Sequence, residues 1–546
     1  MKKWNRPVLF TLSACLSLSL LAHLFVQKIH ATETQASETL GRQEASDASE
    51  TKESSESTAV SRVQGGRIEV AVSQEPDFFD PHQSIAAGTK EIFYNVFEGL
   101  MRLNVKGELE PNLAERVTLS ADARSVDVQL KKNVLFHDGQ TMTEADVIYS
   151  LLRAAGQKDL ENPKSQMLGQ IETVSQTGDH QLKIELKKAE PDILAALTVA
   201  IVPEHVKDLN SNPIGTGPFS FDHYVAQQEL TLKRFKDYHG SKKAAVDEVR
   251  FKIVGSTDAA LLEFRTGGVD VFPYMTQDMT MGLDANLKIS DGSADMVQIL
   301  ALNNETQAFK DPKVREAIDL LVDRDQIIEL VAGGHASPVY SAVSPAMAAA
   351  FNQDLKVTRD VEKAKTLLQE AGYTEQQPLH FVIKVPSNYS YHVNTASVLV
   401  PQLQEAPVKV EVQTIDWGVW LDQVYKQHDF EATIIALPPS EFTAAEVLTR
   451  YQSENRKNFI NFKSKAYDEL LSKLDQSLDP QERNKIYKEL QKQLLDEHAS
   501  VYLQDAHNIT GLRQAVLGYQ HYPAYVQAIV DLSFATEEDA LASLNR

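Results

Sequence analysis

Hydrophobic and polar residues alternate in several short stretches of this chain. Val126, Val128 and Leu130 are interleaved with Asp127 and Gln129, and Arg67 to Val72 follows the same period of two, as does Gln181 to Leu186 after a Gly178-Asp179 turn. Such a period puts one face of a strand into a core and leaves the other in water. Val408, Val410 and Val412 mark a further strand. Elsewhere the spacing becomes helical. Val147, Ile148, Leu151 and Leu152 form one stripe, Val314, Ala317, Ile318 and Leu321 a second, and Ile486, Tyr487, Leu490 and Leu494 a third. Each stripe has a start signal. Thr143 with Asp146 three residues on makes a capping box, and Asp311-Pro312 and Asp479-Pro480 put a cap just before a proline whose missing amide costs nothing at the first helical position. Gly333-Gly334 stops a helix. Strands alternating with helices predict an α/β chain of mixed sheets, and no internal repeat of 20 to 50 residues is evident.

The most specific stretch begins at Val134. Phe136-His137-Asp138-Gly139, Thr143, Asp146-Val147, Tyr149 and Ser150 together resemble the dipeptide/oligopeptide-binding family of ABC-transporter extracellular solute-binding proteins (solute-binding protein family 5). Further segments are similar to that family in its own order. They are Glu75-Pro76-Asp77 through Asp80-Pro81, Asn95 to Leu100 as the helix that follows, Pro203-Glu204-His205, Gly215-Thr216-Gly217-Pro218-Phe219, and Asp237-Tyr238-His239-Gly240, with His239 where the family usually has Trp. Leu302-Asn303-Asn304 with Asp311 to Ile318, and Asp360 to Tyr373, continue the series, so the likeness spans roughly residues 66 to 510.

This resemblance implies a two-lobed periplasmic-binding-protein-like fold (type II, cluster C) with an accessory domain in the first lobe. The first lobe is expected at 66–98, 213–300 and 515–546, the accessory domain at 99–212, and the second lobe at 301–514. It also implies an extracytoplasmic receptor, not an enzyme, that captures a peptide between its lobes and delivers it to the membrane subunits of an ABC permease. A monomer is expected, with no cofactor.

Composition narrows the alternatives. At 546 residues the chain exceeds what one core supports, so several packed units are expected. A net charge of −22 without a cluster of Lys and Arg argues against a nucleic-acid partner. Lys2, Lys3 and Arg6 precede an apolar run from Pro7 to Val26, the layout of an export signal. Leu12-Ser13-Ala14-Cys15 fits a lipobox that would place a lipid on Cys15, the only cysteine. The apolar run continues past Cys15, which instead favours cleavage near Ala31 or an uncleaved anchor of about twenty residues. From residue 32 to about 65 the chain is rich in Ser, Thr and Glu with hardly an aromatic, and a disordered acidic tether is expected. The protein is therefore read as exported and attached to, or released from, the outer membrane face.

No Gly-x-Ser-x-Gly elbow, His-Glu-x-x-His pair or phosphate-binding Gly-x-x-x-x-Gly-Lys loop occurs. Gly215-Thr216-Gly217 lacks a cradle's donors because Pro218 has no amide, and His137-Asp138 reads as a turn rather than a catalytic pair. The fifteen histidines show no metal-ligand spacing; His223, His239, His392 and His428 are isolated. Trp417 and Trp420 follow a strand, where ligand loops of α/β folds sit, and offer broad apolar faces; core packing is the competing reading. Tyr389 and Tyr391 in a polar aromatic loop, Asn303 and Asn304 at a strand end, and Phe78 beside Phe79 are further ligand-binding candidates. Peptide-binding members carry an aspartate that holds the ligand's ammonium group. The corresponding stretch here, Thr433 to Phe442, has none, leaving Glu441 as a substitute with longer reach. The expectation is a receptor that does not require a free peptide N-terminus. The alternatives are the same fold holding a chelated metal or other non-peptide solute, and a surface adhesion or signalling protein derived from it.

Overall fold

The computed structural model describes residues 62–72, 74–436, 439, 442–523 and 526–536. The export segment, the lipid expected on Cys15, residues 32–61 of the expected tether, and Glu441 lie outside the described residues. Arg62 and Val63, which composition assigns to the tether, are strand residues. They pair antiparallel with Ala535 and Phe534, and that strand pairs in turn with Val516–Leu517.

Eleven strands form one large mixed sheet, with Ala336–Pro338 paired to Ser500–Arg513 beside a main path of ten. From one edge to the other the ten are Val408–Ile415, Leu379–Pro386, Ala432–Ala436, Leu287–Leu302, Ser500–Arg513, Val271–Met275, Arg67–Val72, Glu248–Ile253, Glu229–Arg234 and Phe219–Val225. The two strands in the middle are much longer than the rest, at 16 and 14 residues. They run antiparallel to each other and pass from one half of the molecule to the other, so the first-lobe strands attach along one stretch of them and the second-lobe strands along another. Helices cover the sheet. In the second lobe Pro312–Leu321 and Val361–Glu370 bury Val314, Ala317, Ile318 and Leu368 on the parallel strands Leu379–Pro386 and Val408–Ile415. On the other face, Pro480–Asp496 buries Ile486, Tyr487, Leu490 and Leu494. The caps are those foreseen: Asp311 accepts from the Lys313 amide and Asp479 from that of Glu482.

The accessory sheet is separate and antiparallel, in the order Ala114–Leu119, Ser125–Leu130, Gln181–Leu186, Ile171–Gly178. Its inward residues Val126, Val128, Leu130, Leu182 and Ile184 pack against Val147 and Leu151 of the helix Glu144–Ala154. The capping box is formed: Thr143 Oγ1 accepts from the Asp146 amide, and Asp146 Oδ2 accepts from the Thr143 amide at 2.8 Å. Gly139 turns the preceding segment at φ +84°, and its amide donates to the Phe136 carbonyl at 2.9 Å.

One expected helix is displaced. The first-lobe helix spans Ala87–Phe93, and Asn95 to Leu100 lies beyond its end instead of forming it. Asn95 donates to the carbonyls of Glu91 and Ile92, which terminate the helix, and to that of Gln527. The segment after it runs so close to its neighbours that a Cβ on Gly215 would fall 2.1 Å from the Val96 carbonyl oxygen, and one on Gly217 2.5 Å from that of Asn95. Gly215-Thr216-Gly217 is thus a packing surface. His137, rather than pairing with Asp138, reaches this same segment: its Nε2 lies 3.0 Å from the Gly217 carbonyl oxygen, and the Gly215 amide donates to its Nδ1 at 3.2 Å.

Candidate functional site

The two long central strands fail to pair in one place. Ser293 faces His507 and Val297 faces Asp505, so three residues, Ala294 to Met296, bulge out opposite a single residue of the other strand. Bulges re-aim side chains and bend the strand that carries them. Asp505 holds this one in shape: its Oδ1 accepts from the Met296 amide at 2.9 Å and its Oδ2 from the hydroxyls of Ser293 and Ser344. Asp295 sits at the crest with φ +54°, a left-handed conformation that aspartate tolerates better than most residues. It is only 7% exposed. Burial, the Asp505 carboxylate and that of Glu446 push the Asp295 carboxyl up to about 8, against the pull of Arg450 and a hydrogen bond from Ser344.

Over this bulge lies a cavity of about 1280 Å³ whose walls come from every part of the fold. This exceeds the roughly 300–1,000 Å³ of small-molecule pockets. The first-lobe wall carries Phe78, His82, Lys90 and Phe93, the accessory domain adds Leu160, Lys164 and Asp192, and the second lobe adds Met347, Phe442 and Tyr487. A second, inner pocket of about 40 Å³ opens behind Asp295 between Val297, Ile299, Pro439, Val447 and Phe459. At the rim, Arg483 of the second lobe meets Asp192 of the accessory domain at 2.7 Å and donates to the Tyr487 hydroxyl at 2.8 Å. This ion pair bridges the cleft.

The first-lobe wall is fixed by a buried ion pair. Arg153, on the accessory helix, donates through both terminal nitrogens to Asp80, at 3.0 and 2.5 Å. Asp80 also accepts from the His82 amide and from Gln83 Nε2. Beside it, Asp77 accepts from the amides of Ile85 and Ala86 and from the Thr89 hydroxyl, which hold its carboxyl at about 2 against the opposing effect of burial. Lys164 donates to the Ser84 carbonyl at 3.0 Å. Burial and the nearby charge of Lys90 push its ammonium down to about 8, despite Asp80 and Asp77.

Of the residues singled out from sequence, Phe78 lines the cavity and is 42% exposed. Trp420 does not. It is fully buried, its indole N–H donates to the Thr433 hydroxyl at 2.9 Å, and it stacks on Trp417 with ring centroids 5.1 Å apart. Trp417 meets Tyr389 edge-on at 5.5 Å, so the three rings form a ladder against the second-lobe core, away from the cavity walls. Tyr391 packs on the second-lobe core, where burial and the charge of Asp505 raise its hydroxyl. Asn303 and Asn304 are structural: the first donates to the carbonyls of His428 and Phe430, the second to those of Leu302, Ile460 and Ala499.

The four histidines are dispersed. His239 bonds Glu98 at 2.7 Å in a buried cluster with Tyr238 and Thr216, His392 meets Gln298, His428 meets Asn461, and His223 lies between Asp222 and Glu229. Among the described residues no three potential ligands converge on a metal position. Sequence reasoning missed His82, Lys90, Lys164 and Asp295. Only the last left a signal, the polar interruption Asp291-Gly292-Ser293-Ala294-Asp295 within an otherwise apolar strand.

Comparison with known proteins accords with this architecture. The profile of the bacterial extracellular solute-binding proteins, family 5 (middle), matches residues 108–459. The oligopeptide-binding protein AppA of Bacillus subtilis is 24% identical over 490 residues, covering 84% of this chain and 90% of that protein. Its structure in complex with a nonapeptide aligns with a TM-score of 0.66 over 87% of this chain and 100% of that one. The periplasmic murein tripeptide binding protein MppA, in its unliganded open form, aligns with a TM-score of 0.79 at 21% identity, over 88% of this chain and 99% of that one. The nickel-binding protein NikA of Staphylococcus aureus is 25% identical over 443 residues, covering 79% of this chain and 87% of that protein.

Proposed function

This chain belongs to the bacterial extracellular solute-binding proteins of family 5, and we propose that it captures a peptide between its two lobes and delivers it to a membrane permease. The observation that carries the reading is the interlobe cavity of about 1280 Å³, large enough for several residues of extended chain and walled by both lobes. Its lining is mainly apolar, with charged groups confined to separate places, as a ligand of varied side chains and fixed ends requires. Relatives named for oligopeptides and dipeptides support the same reading.

The mechanism follows from the two central strands. They are the covalent continuity of the sheet between lobes, and their interrupted pairing at Ala294 to Met296 is where the sheet can bend. A ligand that touches both walls binds the closed arrangement more tightly than the open one and shifts the population toward it. A permease distinguishes loaded from empty receptor by that difference. The receptor acts by binding, with no covalent step, outside the cytoplasmic membrane, and as a monomer.

Native mass spectrometry of the purified protein, combined with small-angle scattering before and after unfolding and removal of what co-purifies, tests the reading. Peptide masses and a contraction on adding them back are the expected result. A metal chelate or another small solute would replace the peptide reading with the related one that NikA exemplifies, and no bound solute with no contraction would leave an adhesion or signalling role.

A further inference from the structure

A short hairpin, Met101–Leu103 paired with Leu109–Pro111, carries a tight turn to the second-lobe wall of the cavity, which Leu103, Lys106, Gly107, Glu108 and Leu109 all line. The turn is built to keep its shape. The Asn104 side chain accepts from the amides of Lys106 at 2.9 Å and Glu108 at 3.0 Å, the Asn104 backbone amide donates to the Glu108 carbonyl at 2.9 Å, and the Gly107 amide donates to the Asn104 carbonyl at 3.0 Å. An asparagine that bonds its own backbone two residues on fixes a turn by itself, without help from neighbours.

The tip has almost no clearance. At Gly107, with φ +74°, an added Cβ would fall 2.5 Å from the Ala346 carbonyl oxygen, 3.2 Å from Pro523 Cγ and 3.3 Å from Phe442 Cε1. Ala346 and Phe442 belong to the second lobe, so this contact spans the cleft. Phe442 itself has φ +50°, a left-handed backbone that a bulky aromatic rarely adopts. Strain of this kind persists only where the surroundings over-determine it, and it collects at clamps and switches. Both sides of the contact are thus specialised: one lacks a side chain, and the other is held in a costly conformation.

We propose that the turn from Asn104 to Glu108 is a latch: on closure its glycine seats against the Ala346 carbonyl and the Phe442 ring and seals the cavity, and on opening it withdraws as a preformed unit. The inference rests on capture between two lobes and not on the chemistry of the solute. Only glycine serves at the tip. An alanine there is strained alike in the open and closed forms, because the turn is held by its own bonds, but it collides with the Ala346 carbonyl only in the closed one. It therefore shifts the population toward open.

The experiment follows access to the cavity in the full-length chain, with Cys15→Ser and a reporter thiol introduced by Ala195→Cys at a half-buried position of the cavity wall. Labelling by a bulky maleimide is expected to be about fivefold faster, or more, when Gly107→Ala is added. Gly139→Ala is the control for strain alone, since Gly139 has φ +84° and nothing within 4 Å of an added Cβ; its labelling rate should match the parent's. Phe442→Ala keeps the glycine and removes the ring, and should also speed labelling; it decides the question if the Gly107 variant does not fold. Equal rates in the parent, Gly107→Ala and Phe442→Ala overturn the latch, as does an equal acceleration by Gly139→Ala. A pool of short synthetic peptides, with occupancy read by native mass spectrometry, keeps the two readings apart. Peptide binding with equal labelling rates removes the latch alone, and latch-dependent labelling without peptide binding removes the peptide alone.

Discussion

Two buried carboxylates border the cleft in opposite circumstances. Asp80, in the first-lobe wall, meets a guanidinium in two parallel bonds and accepts from an amide and a side-chain N–H besides. Asp295, on the central strands, meets a second carboxylate, Asp505, and a third, Glu446, with Arg450 opposing them. The first arrangement ties the helix Glu144–Ala154 to the segment that precedes the helix Ala87–Phe93. The second places electrostatic pressure at the one point where the sheet can bend. A binding protein of this kind needs both: a wall that does not deform, and a hinge whose closed and open forms differ little in free energy.

Removing charge should therefore have opposite effects at the two places. Arg153→Ala leaves Asp80 buried without its partner, and a loss of about 3–5 kcal/mol is expected in chemical unfolding. A loss below 1 kcal/mol would mean that the pair is dispensable and the comparison false. Asp295→Asn should stabilise, by an amount that grows as pH rises from about 4 to about 8. The folded carboxyl titrates near 8 and the ordinary aspartate at 3.8, so between those values the folded chain keeps a proton that the unfolded chain releases. Stability falls as pH rises through that window. The variant, which tolerates the left-handed backbone, should exceed the wild type at pH 9 by an amount on the order of 1–3 kcal/mol, and the two should converge below about pH 4. A variant less stable than wild type at pH 9 would place the pressure elsewhere.

The rim pair offers a smaller effect. Asp192→Asn removes the bridge between accessory domain and second lobe but leaves Arg483 donating to the carbonyls of Leu474 and Ser477. Unfolding free energy should change by about 1 kcal/mol, while small-angle scattering of the unliganded protein should show a larger radius of gyration. An unchanged radius would show that the pair does not restrain opening. Thr143→Ala is the mildest, about 1 kcal/mol from a lost cap, and should leave the pH dependence due to Asp295 untouched, since it acts only on the accessory helix.

The contrast also marks what the amino-acid order reveals. Caps, prolines and stripes are local, and Thr143-Asp146, Asp311-Pro312 and Asp479-Pro480 each start a helix where expected. Period-two runs marked Arg67–Val72 and the strand from Val408 in the large sheet, and Ser125–Leu130 and Gln181–Leu186 in the accessory one. What stayed hidden depends on partners far apart in sequence. Asp80 and Arg153 are 73 positions apart, and nothing near either announces the other. The sequence shows that Trp420 is large and apolar, but which way its ring faces depends on Thr433 and the Trp417 stack. The polar run Asp291 to Asp295 marks an interruption of its strand, but that it is a bulge is set by pairing with Asp505 and the serines. The stretch from Thr433 to Phe442 lacked an aspartate, yet Pro439 within it lines the inner pocket together with Asp295. A carboxylate reaches that place from another strand, which reopens the question of a free ligand N-terminus.

The three-stranded sheet at the chain's ends has a mechanical consequence. Arg62–Val63 and Val516–Leu517 both flank Ser533–Ala535, so the entering and departing segments of the chain are stapled side by side. A pull transmitted through the polypeptide that arrives at Arg62 meets that staple first and loads it in shear across its few bonds. Tension is thereby diverted away from the bend at Ala294 to Met296. Force applied at Arg62 therefore leaves the lobes free to open and close on their own account.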